Sequence, residues 1–318
     1  MRRWVKITIP SIMLAAAAIV CAVRWQAWFV TPDEPQWTGD TIEYTFPSPV
    51  HPITHSPLTF LVLGDIHSNL TREDYNLLAQ RVPQADIVLQ TGDWLERGQF
   101  YYRQQLLREW TNSALNGLPV VVTPGNHEYS KGFCAALAPA WEETFLNHDT
   151  LFADTPYVDG VNYYLDFPSL RLIVIDTNPL DRIMEMTRLV TWVRQALYTA
   201  GDRFVVVMMH HPVISAAKGR FNPAVYGAFR LALSQADLVL AGHDHLYMRK
   251  GPFVVLNTAG KPKQPRTKLA ADVKYALPVY GVLTIDQSAI SNQQSSMEFR
   301  VYRLDNGEIL DSLHVSHD

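Results

Sequence analysis

The chain has 318 residues, 47% of them hydrophobic, and a formal net charge of -4. That length and apolar content fill one large core rather than two domains, and the mildly acidic balance excludes the basic surface that tracking a nucleic-acid backbone requires. The two cysteines, Cys21 and Cys134, exclude a disulfide framework and a cysteine-based zinc site.

The first element is a basic end, Arg2, Arg3 and Lys6, followed by an uncharged apolar stretch from Ile7 to Val23. At about 17 residues such a stretch is at the lower limit for spanning a bilayer and longer than most signal-peptide cores. Trp4 at one end and Trp25, Trp28 and Phe29 at the other match the aromatic belts of a membrane span and favour an uncleaved anchor. Val20-Cys21-Ala22 also passes as a small-residue cleavage site, so a signal peptide stays open, with a buried helix as the third reading. Both exported readings put the rest of the chain outside the cytoplasm: membrane-anchored and, in a bacterium, periplasmic, or secreted if the segment is cleaved. Prolines 32, 35, 47, 49, 52 and 57 make residues 31–57 an extended linker after an N-terminal segment of residues 1–30.

The apolar run Phe60 to Leu63 ends in Gly64-Asp65-Ile66-His67, with Asn69 just beyond. It reads as a strand buried on both faces, whose carboxyl end is where ligands bind in open α/β sheets. Two residues apart in an extended chain, Asp65 and His67 leave on the same side and can hold a divalent ion together. Thr71 to Val82 begins with a capping-box pattern, Thr71 and Asp74, and carries Tyr75, Leu78 and Val82 at helical spacing. A second strand, Ile87 to Gln90, leads to Asp93. The helix between them implies a parallel pair, so Asp65 and Asp93 emerge on one edge, although Asp93 alone also suits a helix N-cap.

Helical periodicity runs from Phe100 to Leu115, and Val120 to Val122 then delivers Asn126, His127 and Glu128. An Asn oxygen is an adequate metal ligand and the neighbouring His is free for acid or donor work; a turn role for Asn126 is the alternative. Residues 129–166 read as an irregular, aromatic-rich insertion forming part of a pocket wall. Leu172 to Ile175 is a strand, Ile183 to Thr199 a helix, and Phe204 to Met209 a strand that ends in His210-His211-Pro212. Adjacent side chains diverge in an extended chain, so one of the two histidines faces the site. A helix from Pro223 to Ser234 precedes the strand Leu238 to Leu240 and the pair His243 and His245. The alternating runs Phe253 to Leu256, Val279 to Ile285, Glu298 to Leu304 and Ile309 to Val315, with a hairpin turn at Asn306-Gly307, predict a mainly antiparallel second sheet packed on the first.

Taken in order, Gly64-Asp65-Ile66-His67, Gly92-Asp93, Gly125-Asn126-His127-Glu128, His210-His211-Pro212 and Gly242-His243-Asp244-His245 resemble the motif set of the calcineurin-like metallophosphoesterase superfamily, from about Thr59 to Tyr247. The resemblance implies an α/β fold, a four-layer α/β/β/α sandwich of two packed mixed sheets, and makes 58–318 the catalytic domain. It implies two divalent metal ions, for which the donor types suit Mn, Fe, Zn or Co. Asp65, His67 and His245 are then expected on one ion, Asn126, His210 and His243 on the other, and Asp93 on both. His127 is expected to protonate the leaving oxygen or to stabilise the transition state.

Two departures qualify the resemblance. Glu96 stands where purple acid phosphatases carry a ligating tyrosine, so their Fe(III)-tyrosinate centre is not expected. Gly92-Asp93-Trp94-Leu95-Glu96-Arg97-Gly98 is similar to the Ser/Thr protein phosphatase motif with Glu96 for Asp. Arg97 is therefore assigned with Asn69 to substrate binding, a surface salt bridge being the other reading of Arg97. The function so read is hydrolysis of a phosphate ester, monoester or diester, by a membrane-tethered domain. A non-catalytic metal-binding scaffold of the same fold is the alternative.

Overall fold

Successive side chains of a strand leave on opposite faces, and this parity sorts the chain into layers. The computed structural model describes residues 35–44, 46–47, 56–129, 161–178, 183–218, 223–265, 271–286 and 295–317. Three parallel strands, β1 (Leu58–Leu63), β2 (Ile87–Gln90) and β3 (Val120–Val122), are continued by three antiparallel ones: β11 (Val279–Asp286), β12 (Ser296–Arg303) and β13 (Ile309–Ser316). Their order across the sheet is β13-β12-β11-β1-β2-β3. The second sheet has the parallel core β5 (Leu170–Ile175), β6 (Phe204–Met209), β7 (Leu238–Ala241) and β9 (Phe253–Val255), flanked by β4 (Tyr163–Asp166), β8 (Tyr247–Lys250) and β10 (Val273–Tyr275).

Leu58, Phe60, Val62, Ile87 and Leu89 face Leu172, Val174, Val206 and Met208 between the two sheets. The opposite parity of the first sheet, Leu61, Leu63 and Val88, packs under Tyr75 and Leu78 of α1 (Arg72–Arg81) and Leu107 and Trp110 of α2 (Phe100–Thr111). On the second sheet Ile173, Ile175, Val205 and Val207 pack under Leu189 and Val193 of α3 (Ile183–Tyr198) and Phe229 of α4 (Pro223–Phe229). The expected α/β/β/α layering follows. Burying each such side chain contributes about 1.5–3 kcal/mol, against about 1 kcal/mol net for a hydrogen bond, so these three seams hold the layers. The expected capping box opens α1: Thr71 Oγ1 accepts the Asp74 N–H at 3.3 Å, and the Asp74 carboxylate accepts the Thr71 N–H at 2.9 Å.

Three expectations are corrected. The C-terminal runs do not form one antiparallel second sheet: β9 lies in the second sheet parallel to β7, whereas β11 pairs antiparallel with β1, Leu58 opposite Ile285, and so completes the first. The reason is that β1, buried on both faces, must pair both of its edges, and β2 takes only one. Short strands β4, β8 and β10 arise where three or four residues of mixed polarity carry no periodic signal. The stretch expected to be a free linker is partly seated. Gln104 accepts the Ile42 N–H at 2.6 Å and donates to the Ile42 carbonyl at 3.2 Å, and the Phe46 ring lies 5.6 Å from Trp94 and 5.4 Å from Trp110. The compact unit accordingly begins at Trp37.

The segment of residues 1–30 expected to be a membrane anchor or signal helix, Cys21, Cys134 and all of the expected aromatic insertion between residues 130 and 160 lie outside the described residues. Among the described residues no helix is long and apolar enough to cross a membrane.

Candidate metal centre

The carboxyl ends of β1, β2 and β3 in one sheet and of β6 and β7 in the other open toward a common edge. The turns that follow them are unusual. Asp65 (φ 42°), His67 (53°), Asp93 (53°), His243 (70°) and His245 (52°) all have left-handed backbone, which costs a non-glycine residue about 1–2 kcal/mol. Such strain persists only where the surroundings over-determine it, and it gathers at functional sites. It also corrects the reason given for the i, i+2 pairs: their side chains converge because the chain coils left-handed past the strand, not because it stays extended. Glycines make the coils fit. A Cβ on Gly125 would overlap Asp93 Oδ1, and one on Gly92 (φ 92°) would lie 2.5 Å from His210 Nδ1.

Asp65, His67, Asp93 and His245 bring one ligand atom each within 4.8 Å of one another. His67 Nδ1 lies 3.1 Å from the Glu96 carboxylate and His245 Nδ1 lies 3.0 Å from the Lys261 carbonyl. Both partners only accept, so both Nδ1 atoms carry the proton and both Nε2 atoms are left as lone pairs. Those Nε2 atoms stand 3.1 Å apart, with Asp93 Oδ2 3.6 Å from His67 Nε2. Lone pairs so placed repel one another unless a cation or a proton lies between them. Ligands about 2.0–2.1 Å from one cation are about 3.0–3.4 Å apart, so the residues fit a divalent ion.

A second convergence adjoins the first. His210 Nδ1 donates to the Thr91 carbonyl at 2.9 Å, which turns Nε2 toward Asn126 Oδ1 and Asp93 Oδ2, each at 3.2 Å. His243 Nδ1 reaches the same Asn126 oxygen at 2.9 Å. Asp93 Oδ2 therefore faces a histidine of each group, as a bridging carboxylate must. His211 turns away to hydrogen bond Thr177 through Nδ1 at 2.9 Å, although it also lies near His210 and His243.

Proton affinities follow from the crowding. Burial raises Asp65 to about 6 even though His210 and His67 pull the other way. Burial would raise Asp93 too, but the charge and hydrogen bond of His210 hold it well below the carboxylate range. Burial disfavours a charge on His210, yet Asp93 and Asp65 outweigh it and lift the ring to about 9. Protons and divalent cations compete for such ligands.

The other expected residues divide. His127 stands at the rim with its N–H on Asp93 Oδ1 at 2.9 Å and its Nδ1 2.5 Å from the Glu96 carbonyl, its ring edge-on to His67 at 4.5 Å. Arg97 is exposed and makes no ion pair or hydrogen bond through its guanidinium among the described residues. Asn69, also exposed, donates its amide to the Ala259 carbonyl at 3.1 Å.

Several contributors escaped the sequence reading. Glu128 is fully buried and accepts the N–H groups of Asp93 (2.9 Å), Leu95 (2.9 Å) and Gly125 (2.7 Å), which ties the turn after β2 to the turn after β3. Asp244 does the same for the segment after His210, accepting from Ser215, Ala216 and Ala217. The loop after β9 packs against the Asp65 turn, with Thr258 Oγ1 on the Gly64 N–H at 3.0 Å and Gly260 N–H on the Asp65 carbonyl at 2.5 Å. Its signal was a further apolar run closing in a polar cluster, Asn257-Thr258.

The calcineurin-like phosphoesterase family profile matches residues 58–247, and the chain belongs to that family. None of the curated proteins matches it. Among solved structures it is similar to a purple acid phosphatase from yellow lupin (Lupinus luteus) seeds, with a TM-score of 0.63 and 15% identity over 84% of this chain; it spans 55% of the lupin protein, about half its length. It is similar to GAP50, the anchor in the inner membrane complex of Plasmodium, with a TM-score of 0.56 and 12% identity over 82% of this chain and 89% of that one. It is also similar to a dimetal phosphatase from Danio rerio, with a TM-score of 0.54 and 13% identity over 82% of this chain and 99% of that one. At these identities the likeness concerns the fold.

Proposed function

We propose that this chain hydrolyses a phosphate ester with a water activated between two divalent metal ions, Mn, Fe, Zn or Co, in a domain tethered to a membrane outside the cytoplasm. The observation that carries the reading is Asp93 Oδ2 set between His67 Nε2 and His210 Nε2, at 3.6 and 3.2 Å, with the Asn126 amide oxygen facing both His210 Nε2 and His243 Nδ1 beside it. Asp65, His67 and His245 would hold one ion and Asn126, His210 and His243 the other, with Asp93 shared. Bound there, the ions supply Lewis acidity and lower the pKa of a coordinated water.

The chain's own groups do the rest. His127, fixed through Nδ1 by the Glu96 carbonyl, leaves Nε2 free, and in its imidazolium form that nitrogen would donate to the leaving oxygen. Arg97, which is exposed, would meet a phosphate oxygen, and Asn69 keeps its amide oxygen and second N–H for the ester. The tether rests on the sequence pattern of residues 1–30, an apolar stretch behind a basic end and between aromatic residues.

The test assays the metal-supplemented full chain on p-nitrophenyl phosphate and bis-p-nitrophenyl phosphate side by side, with Asp93→Asn as control. Metal-dependent turnover of either ester, lost in the variant, is the expected result, and the preferred ester separates monoesterase from diesterase. A wild-type chain that retains no metal overturns the reading. Alkaline-carbonate washing of membranes tests the tether, which predicts that the chain stays with the lipid.

A further inference from the structure

Six histidines at this edge have an Nδ1 partner, and one of those partners is a carboxylate. Backbone carbonyls hold His210 (Thr91), His245 (Lys261) and His127 (Glu96), whereas His67 is held by a carboxylate, Glu96, at 3.1 Å. Glu96 is fastened in turn by its own N–H, which donates to Ser68 Oγ at 3.1 Å. One residue thus orients a candidate ligand with its side chain and the candidate acid with its carbonyl. The two rings stand edge to face at 4.5 Å and 87°.

We infer that Glu96 is a positioning residue that sets the metal affinity of the His67 position alone. The inference rests on the metal-centre reading above. A carboxylate on Nδ1–H fixes the imidazole tautomer and makes Nε2 a stronger donor, and losing such a partner weakens metal binding about 10–100-fold. The effect is confined because Glu96 touches no side chain of the Asn126, His210 and His243 group among the contacts described, while its link to His127 runs through the backbone and survives substitution. The side chain is also 41% exposed where His67 is 5% exposed, so removing the carboxylate leaves no cavity.

The experiment is calorimetric titration of Mn(II) into the chelator-stripped full chain, comparing wild type, Glu96→Gln and Glu96→Leu. Two binding events are expected in the wild type. Leu weakens one about 10–100-fold and leaves the other within about twofold, and Gln, which keeps an oxygen for Nδ1–H, restores most of the loss. A general loosening of the loop would weaken both events together and lower Tm, and that result overturns the inference; so does a Leu variant with both affinities intact. If Leu fails to fold, Glu96→Ala takes its place and is read in the same way, with Gln still expected to restore most of the loss. A wild-type chain that binds no Mn(II) overturns the metal-centre reading itself and this inference with it, which separates the two failures.

Discussion

Two buried polar clusters in this molecule obey opposite rules. At the strand-end centre, acceptors crowd together: the His67 and His245 rings meet through Nε2, and Asp93 Oδ2 lies between His67 Nε2 and a His210 ring that answers it only when it carries a second proton. Where β8 meets β13, donors meet acceptors throughout. Asp311 takes Tyr247 Oη–H at 2.6 Å, Arg249 Nε–H at 2.6 Å, Arg249 Nη2–H at 3.1 Å and its neighbour Ser312 N–H at 2.9 Å. The second cluster is complete in itself and pins one sheet to the other. The first is complete only with a proton or a cation added, which marks it as a site and not a brace.

The comparison breaks first, and most widely, at Asp93. Asp93→Asn removes the one oxygen that both groups share, so turnover is expected to fall by at least about 10²–10³, the scale for losing a major transition-state contact. Metal analysis should show fewer ions per chain, while circular dichroism stays native. Normal turnover in this variant would remove the reason for treating Asp93 as a bridge.

Chelation gives the next largest effect. Ions that bind only the folded chain stabilise it by about 2.7 kcal/mol at a hundredfold excess over Kd, so chelator-treated protein should melt several degrees lower and regain the difference on adding Mn(II). Asp311→Asn should leave that metal-linked increment untouched, and equality of the increment in the two proteins is the measurement.

Asp311→Asn itself should cost about 1–3 kcal/mol, because Arg249 then keeps only a weakened partner and the 3.3 Å contact to Asp272. The cost depends on pH in a fixed direction. Burial would raise Asp311, but the Arg249 and Tyr247 hydrogen bonds outweigh it and hold it below its ordinary value. A lowered carboxylate contributes its stability above about pH 4, the unfolded value, and loses it as pH falls through the folded value. Urea unfolding at pH 7 and near pH 3 should therefore show the gap between variant and wild type closing in acid. A gap that widens in acid would reverse the sign and refute the assignment.

How much of this was legible beforehand differs by level. Elements fixed by local pattern were readable: Ile87–Gln90, Val120–Val122 and Phe204–Met209 lie at their expected bounds, and the Thr71 capping box is formed. The ordered motifs were readable because strand ends must carry their ligands in sequence. Sheet partnership was not, since pairing β11 with β1 depends on which edge is left open after folding. Nor were Glu128 and Asp244: a carboxylate that collects backbone amides from a neighbouring turn looks, in sequence, like any acid beside a motif. The left-handed turns were hidden for the same reason, because tertiary contacts impose them on Asp and His.

The smallest expected effect is also the sharpest probe of the self-complete cluster. Tyr247 is fully buried, and its hydroxyl donates to the carboxylate oxygen that also takes Arg249 Nε–H. Tyr247→Phe keeps the ring and strands no donor, because the hydroxyl leaves with its proton and Asp311 keeps both Arg249 bonds. The expected cost is about 1 kcal/mol, read as a shift of the urea midpoint at unchanged m-value, with turnover and metal content unaltered. In the double variant with Asp311→Asn the two costs should sum to more than the measured total, because each removes the same hydrogen bond. Strict additivity would mean that the hydroxyl and the carboxylate act separately, and the cluster would then be no more than neighbours.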